Sequence, residues 1–496
     1  MTNLVDSYLK RKTSDSVDTD FVVYLANISK IAEVSPKIAG AVIQELADQR
    51  SNLKLIASEN YTSVASQAAM ANLLTDKYAE GYPHHRFYAG CNNVDAVEEH
   101  AATEAMKLFG CEHAYVQPHS GADANLMAYW AILHTRVELP FFEKIGEMNP
   151  SKLTNADWSE LRKLSGSQRL LGMDYYSGGH LTHGYRHNIS ARMFDAYSYG
   201  VGRQTGLIDY DELEKQVREI EPLILLTGYS AYPRLIDFKR MREIADTVNA
   251  VLMVDMAHFG GLVAGKALTG VFDPVPYADV ITATTHKTLR GPRGGLILCT
   301  EEFKEAVNKG CPLVIGGPLP HILAAKAVAM TEANTPEYRE YAKRIIENAK
   351  GLAASLMKRG IELVTAGTDN HLMLIDVRPF GLNGRQAESA MRECGITLNR
   401  NSIPYDPNGP WYTSGLRIGT PAVTTLGMGL EEMEEIAEVL CSVITKTRSL
   451  SRNGKKSSKY VLDEGIRETA RARVQKLLER FPVYPGIDLD FLRNAI

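Results

Sequence analysis

Residues 279 to 295 read Asp-Val-Ile-Thr-Ala-Thr-Thr-His-Lys-Thr-Leu-Arg-Gly-Pro-Arg-Gly-Gly. Val280, Ile281 and Thr282 are a run of β-branched residues, which suits a short buried strand. The chain then turns polar at Thr284, Thr285 and His286 and presents one lysine, Lys287. Gly291, Pro292, Gly294 and Gly295 predict a turn, and Leu296 to Cys299 a second strand. A lysine held still at a strand end, partly desolvated and facing a cavity, is what Schiff-base chemistry requires. The competing reading is a surface lysine that merely follows the strand.

A second segment weighs against that competitor. Ala250 to Asp255 is an apolar run ending in a carboxylate, followed by Met256, Ala257, His258 and the pair Gly260-Gly261. Open α/β sheets bind ligands at the carboxyl ends of their strands. An aspartate and a lysine there, one crossover apart, suit pyridoxal phosphate. The lysine would hold the aldehyde, and the aspartate would keep the pyridine nitrogen protonated.

Other strands alternate with helices, so the sheet should be mostly parallel within an α/β layer. Ala114 to Gln117, Leu170 to Met173 and Pro222 to Thr227 read as strands, and Lys239 to Asn249 as a connecting helix. After the first of these, His119-Ser120-Gly121-Ala122-Asp123 opens a helix running through Trp130. That order could make a phosphate cradle of backbone N–H groups, or an ordinary helix cap. Ser177-Gly-Gly-His-Leu-Thr-His-Gly184 follows the next strand. His180 is the candidate to lie flat over a planar ring, His183 the runner-up, and metal ligation by both the rival.

Residues 77 to 90 hold four aromatics, a proline and two glycines, which argues against a regular helix. Glu80 lies among Tyr78, Tyr82 and Tyr88. It could be a general acid or base with a raised pKa, or one carboxylate on an exposed loop. Val94, Val97, Ala101, Ala105 and Leu108 give a helix ending at Gly110. Arg417 stands between apolar and small residues. It needs a carboxylate partner, either a protein Asp or Glu or a substrate.

With 496 residues, the chain exceeds one ordinary domain. The pattern divides it into a leading helical arm (1–50), a large domain (51–332) and a smaller α+β domain (333–496). In the arm, Pro36 starts a helix whose apolar stripe is Ile38, Val42, Ile43 and Leu46. Residues 135–169 break the strand–helix rhythm and read as an insertion, with Phe141, Phe142, Ile145 and Met148 clustered. Asn155 onward is a capped helix. Thr335-Pro336 starts a long helix to Gly360, and 449–459 is a polar, basic loop. A formal net charge of -4 excludes a strong basic field for nucleic acid. No apolar stretch reaches the ~20 residues that span a bilayer. Six scattered cysteines with no Cys-x-x-Cys pair, and no signal-peptide pattern, point to a reducing, cytoplasmic setting without a zinc site.

Six segments together resemble serine hydroxymethyltransferases. They are Leu-Ile-Ala-Ser-Glu-Asn-Tyr from 55, Lys-Tyr-Ala-Glu-Gly-Tyr-Pro from 77, Gly-Gly-His-Leu-Thr-His-Gly from 178, Val-Asp-Met-Ala-His from 254, the 284–295 motif and Thr-Ser-Gly-Leu-Arg-Ile-Gly-Thr-Pro from 413. The resemblance implies the aspartate-aminotransferase fold and reversible transfer of the serine hydroxymethyl group to tetrahydrofolate through a Lys287-bound pyridoxal phosphate. Slow action on other 3-hydroxy amino acids or alanine is implied as a side activity. Asp255 would hold the pyridine nitrogen, His180 would stack on the ring, and His258 and Ser230 would lie near its oxygen and the imine. Ser120, Gly121, Ala122 and His286 would hold the phosphate, with Thr284 catalytic beside them. Arg417 and Ser58 would take the substrate carboxylate, and Asn401 the folate. Tyr78, Glu80, Tyr88 and Gly317 would enter from the other subunit of a homodimer, or of a tetramer built from such dimers. The chain departs from the family pattern at Ala122, where a serine is usual, at Tyr175 to Ser177, at 311–317, and at Lys54.

Overall fold

The computed structural model describes residues 4–13, 16–450 and 457–495. Its centre is a seven-stranded sheet: β1 (His113–Tyr115), β2 (Arg169–Met173), β3 (Asp195–Tyr199), β4 (Ile224–Gly228), β5 (Val251–Asp255), β6 (Val280–Thr284) and β7 (Gly295–Cys299). The spatial order is β1-β7-β6-β5-β4-β2-β3. β7 alone runs antiparallel to its neighbours. Every residue of β4 to β7 is buried, as expected for strands covered on both faces. Their side chains alternate between two cores. Leu225, Leu252, Val254, Ile281, Leu296 and Leu298 enter one, while Ile224, Leu226, Val251, Met253, Val280 and Ile297 enter the other. That period of two is strand geometry acting on near-continuous apolar runs.

Register places the chemistry. Gly228 pairs with Asp255, and Asp255 with Thr282, so β4, β5 and β6 end side by side. Ser230, His258 and Lys287 each follow one of those ends. Because β7 is reversed, Gly295 pairs with Thr284 at the same edge. The segment after β1 brings Ser120 there, and the segment after β2 brings His180.

A second sheet contains β8 (Leu372–Asp376), β9 (Asn399–Asn401) and β10 (Gly415–Gly419), in the antiparallel order β8-β10-β9. Arg417, at the middle of β10, pairs with Leu374 on one side and Asn399 on the other. The helix Pro336–Lys358 links the two sheets. Tyr338, Tyr341 and Ile345 pack in the first core, and Ala349, Leu352 and Leu356 in that of the second sheet. Leu53 and Lys54 pair with Ile396 and Thr397, so the chain just after the arm joins the second core too.

Three sequence expectations are corrected. In the helix Pro36–Ser51 the buried stripe is Ala39, Ile43, Leu46 and Ala47, whereas Ile38 is 53% and Val42 37% exposed. The face is rotated because positions 39, 43 and 46 fall on one side of a 3.6-residue helix. It packs with Phe21, Leu25 and Ile28 against Val483, Ile487 and Leu492 near the carboxyl end. Next, the helix Gly121–Leu133 does not break at 135 but continues through a π-type turn at His134–Glu138 into Leu139–Ile145. Finally, Met148 is 55% exposed, and Leu161 takes its place beside Phe141 and Phe142. The helix Asn155–Gly166 carries the expected capping box between Thr154 and Asp157. Of the polar loop 449–459, residues 451–456 lie outside the described residues.

Candidate active site

A cavity of about 680 Å³ lies at the common strand edge, between the two sheets. Ser58, Ser120, Gly121, Ala122, His180, Ser230, Asp255, His258, Thr284, His286, Lys287, Asn401 and Arg417 all line it. The sequence candidates that do not are Tyr78, Glu80, Tyr88 and Gly317. Those four form a cluster of their own. The Tyr78 hydroxyl donates to Glu80 Oε1 at 3.3 Å, and the Tyr78 and Tyr88 rings meet edge to face at 4.8 Å. A Cβ on Gly317 would stand 3.7 Å from Glu80 Cγ.

Asp255 is nearly fully buried yet fully partnered. Its Oδ2 accepts from Asn125 Nδ2 at 2.9 Å and meets His183 Nε2 at 3.1 Å, while Oδ1 accepts from the Ala257 N–H at 3.0 Å. Burial alone would raise its pKa, but His183 and His180 outweigh burial and hold the carboxyl well below the usual carboxylate range. The His183 tautomer follows from geometry. His183 Nδ1 accepts the His180 backbone N–H at 3.3 Å, so Nε2 carries the proton and donates it to Asp255. Both nitrogens are engaged, which removes His183 from metal binding, and His183 does not line the cavity. His180 faces the cavity instead. Its Nδ1 accepts from the Thr182 N–H at 3.3 Å and from the Thr182 hydroxyl at 2.8 Å, and that hydroxyl accepts from Asn125 at 2.7 Å. Burial lowers the His180 pKa to about 4, so a neutral ring lies at the cavity wall.

The charges opposite are positive. Burial brings the Lys287 ammonium down to about 8, against the opposing pull of Asp255. Burial likewise lowers Arg417 to about 10. Arg417 Nη1 donates to the Ser230 carbonyl at 2.6 Å and Nε to Asn399 Oδ1 at 3.1 Å. Among the described residues no carboxylate lies within ion-pair distance of it. Its neighbour Arg400 pairs with Glu388, and Lys54 with Glu59 at 2.9 Å. Of the two partners the sequence left open for Arg417, the protein carboxylate is therefore not the one present.

The phosphate cradle can be tested on the backbone. Ser120 caps the helix Gly121–Leu133, its hydroxyl accepting from the Asp123 N–H at 3.1 Å. A Cβ on Gly121 would come within 2.7 Å of Thr284 Cγ2, so only glycine lets this turn close over the strand edge. Free N–H groups at a helix start favour a phosphate. The Thr284 hydroxyl donates to the Ala257 carbonyl at 3.0 Å, which leaves its oxygen as an acceptor only. Behind the turn, Lys326 is 1% exposed and donates to the carbonyls of Val116, Pro118 and Gly295 at 2.6, 2.9 and 2.9 Å. Sequence reasoning missed Lys326, Asn125 and His371. The available signal was one polar residue in an otherwise apolar or small-residue run, as in Ala324-Ala325-Lys326-Ala327-Val328.

A lysine and a paired aspartate at adjacent strand ends, a neutral imidazole and a glycine-tightened helix start are the groups that pyridoxal phosphate requires. They define the class: an α/β enzyme dependent on that cofactor. The family model for serine hydroxymethyltransferase matches residues 31–140 and 159–440, leaving 141–158 aside. A serine hydroxymethyltransferase from Treponema pallidum is 58% identical over 494 residues, covering 98% of this chain and 85% of its own. One from Salinispora tropica is 55% identical over 476 residues, covering 96% and 100%, and one from Chlamydia trachomatis 48% over 497, covering 99% and 100%. The chain belongs to the serine hydroxymethyltransferase family. Members are pyridoxal-phosphate-dependent transferases that interconvert serine and glycine with tetrahydrofolate as co-substrate. The fold, enzyme class and cofactor expected from the sequence stand on that membership.

Proposed function

We propose that this chain reversibly transfers the hydroxymethyl group of L-serine to tetrahydrofolate, giving glycine and 5,10-methylenetetrahydrofolate, with the residues of the cavity in defined roles. The observation that carries the assignment is Arg417: a desolvated guanidinium lining the same cavity as Lys287, held by Ser230 and Asn399 and with no carboxylate partner among the described residues. Such a group takes a substrate carboxylate in a charge-assisted fork. Fixing the carboxylate orients the substrate's side-chain bond, and orientation accounts for a large part of such rate enhancements.

Pyridoxal phosphate, when bound, supplies the electron sink for breaking that bond. Asp255, kept anionic, would hold a proton at the pyridine nitrogen, with the His183 Nε2–H and Asn125 keeping its carboxylate aimed. His180 provides a neutral face. Lys287 Nζ, with a pKa near 8, is available as the free amine for covalent attachment. Ser120, Gly121, Ala122 and His286 would receive the phosphate, Ser58 the substrate, and Asn401 the folate. His258, which lines the cavity, would lie near the ring oxygen.

Glu80, Tyr78, Tyr88 and Gly317 act in the site of a second copy. What supports this is that they lie outside their own chain's cavity, with Tyr78 57% and Tyr88 47% exposed. The domains 51–332 and 333–496 would then enclose each cavity, with the arm 1–50 as an outer layer. All six cysteines are free thiols, which supports a cytoplasmic setting; no helix among the described residues is long and apolar enough to cross a membrane.

The test is serine cleavage by the cofactor-loaded protein with and without tetrahydrofolate. Glycine formation should depend strongly on the folate. Equal rates in its presence and absence would point to a plain 3-hydroxy-amino-acid lyase.

A further inference from the structure

His371 immediately precedes β8, belongs to the second sheet and is fully buried. Its carbonyl accepts from the Thr420 N–H at 3.1 Å, which ties it to the end of β10. Its ring reaches across to the first sheet, where His371 Nε2 lies 3.2 Å from His258 Nδ1. The ring centroids are 5.5 Å apart at an interplanar angle of 27°. His258 is anchored on its own side, its carbonyl accepting from the Thr288 hydroxyl at 2.9 Å. Its other nitrogen, Nε2, makes no hydrogen bond within the described residues, and His258 lines the cavity.

Both rings are neutral near pH 7. Burial, then Lys287, Arg417 and the neighbouring histidines, lowers His258 far below an ordinary histidine. Burial, then Arg417 and Lys287, lowers His371 to about 3. Two neutral rings sharing a nitrogen–nitrogen contact place one proton between them, and there are two ways to do so. If His258 Nδ1 carries it, His371 must carry its own proton on Nδ1. That atom is buried and no described residue accepts from it. A buried N–H without an acceptor loses its hydration with nothing in return. If His371 Nε2 carries the shared proton, His371 Nδ1 is an unpartnered lone pair, which folded interiors tolerate better than an orphaned N–H, and the His258 proton sits on Nε2, the nitrogen with no other partner.

We propose that His371 is a positioning residue: it donates its Nε2–H to His258 Nδ1 and thereby presents His258 to the cavity as an Nε2–H donor. The group this fits is an anionic oxygen on the aromatic ring held at Lys287, an identification that rests on the cofactor assignment above. His258 would then touch the cofactor, and His371 would act only through His258.

The experiment uses the full-length protein labelled with ¹⁵N-histidine, both cofactor-free and loaded with pyridoxal phosphate. The His258 signals are identified by their loss in His258→Asn. In the wild type, His258 should show a protonated Nε2 and a bare Nδ1 in both states. Two further variants separate positioning from packing. His371→Gln keeps an N–H donor near the position of Nε2, and His371→Leu has none. In the loaded protein the His258 donor favours the form with more negative charge on the ring oxygen. Its loss in His371→Leu should therefore move the pH midpoint of the visible cofactor band upward by roughly half a unit or more, with His371→Gln close to wild type. A wild-type His258 protonated on Nδ1 overturns the proposal. So does a His371→Leu midpoint equal to that of wild type. The nitrogen measurement needs no His371 variant and stands if His371→Leu does not fold. A wild type that develops no visible band with pyridoxal phosphate would refute the cofactor assignment instead, and the cofactor-free spectrum would still decide the tautomer.

Discussion

Lys287 in the folded chain titrates near 8 because burial penalises its charge, whereas a solvated lysine titrates near ~10.4. Between those values the unfolded chain binds more protons than the folded one, so stability rises with pH through that window. Below it, the buried ammonium is a standing cost to the cofactor-free protein. Lys287→Met removes that cost. The cofactor-free variant should melt above wild type at pH 7, and the gap should close toward pH 10, as read by paired thermal scans. A gap independent of pH would mean that Lys287 is not desolvated. Arg417 allows a second test at this scale. A charge-assisted bond contributes about 1.5–3 kcal/mol, so Arg417→Ala should weaken serine and glycine binding by about 10- to 150-fold. Cofactor content should be largely unchanged, since among the residues assigned to pyridoxal phosphate the guanidinium bonds only the backbone carbonyl of Ser230 and not its hydroxyl. An unchanged serine affinity with a collapsed melting temperature would make Arg417 a packing residue. Much of this was legible in sequence, because Lys287, Asp255 and Arg417 stand out against apolar or glycine-rich neighbours. What decides Arg417, the lack of a carboxylate partner among the described residues, is a tertiary fact with no local trace. The same holds for the His183 tautomer, which turns on one backbone N–H three residues away.

Strands were the most readable elements, since β4 to β7 are buried on both faces and their apolar runs leave little choice. Helical faces were harder. The stripe in Pro36–Ser51 contains both Ile38 and Ile43, and only packing against Leu492 and its neighbours selects the side holding Ile43. The continuation of the helix past Leu133 was hidden for a related reason: its π-type turn shifts the hydrophobic period at the point where Phe141 and Phe142 begin. This insertion makes its own small core of Phe141, Phe142 and Leu161, with Leu139, Ile145 and Leu153 around it. None of its residues lines the Lys287 cavity. Leu161 is 2% exposed, and truncating such a leucine typically costs about 2–5 kcal/mol. Leu161→Ala should thus expose the 146–166 segment to faster limited proteolysis while turnover per cofactor-loaded site stays at the wild-type value. A matching fall in turnover with the proteolysis pattern unchanged would make the insertion a lid over the site.

At the scale of the whole molecule, the unsettled relation is between the Lys287 cavity and the Glu80 hairpin. The hairpin, Gly81–Tyr82 against His85–Arg86, is rigidly built. Arg86 donates to Asp95 Oδ1 at 2.8 Å, Glu98 Oε2 at 2.6 Å and the carbonyls of Ala79 and Gly81, each at 2.9 Å. Gln117 donates to Gly81 O at 2.8 Å and to Glu98 Oε1 at 2.7 Å. Such a buried network, with its charges paired, fixes the hairpin to its own chain and presents Tyr78, Phe87 and Tyr88 outward, Phe87 being 69% exposed. The Arg86 network holds the hairpin outside its own chain's cavity, which supports the proposal that Glu80 serves a neighbouring copy. In a two-fold dimer each site would combine Lys287 of one chain with Glu80 of the other. Lys287→Ala and Glu80→Gln homodimers should each be nearly inactive. After subunit exchange in equal amounts about half the dimers are hybrids, and each hybrid has one site with both defects and one with neither, so activity should return to roughly a quarter of wild type. If both residues served the same site from one chain, every site in the mixture would keep a defect. No recovery, with hybrid formation verified by a tag on one variant, would return Glu80 to its own chain and require the Arg86 network to open in solution.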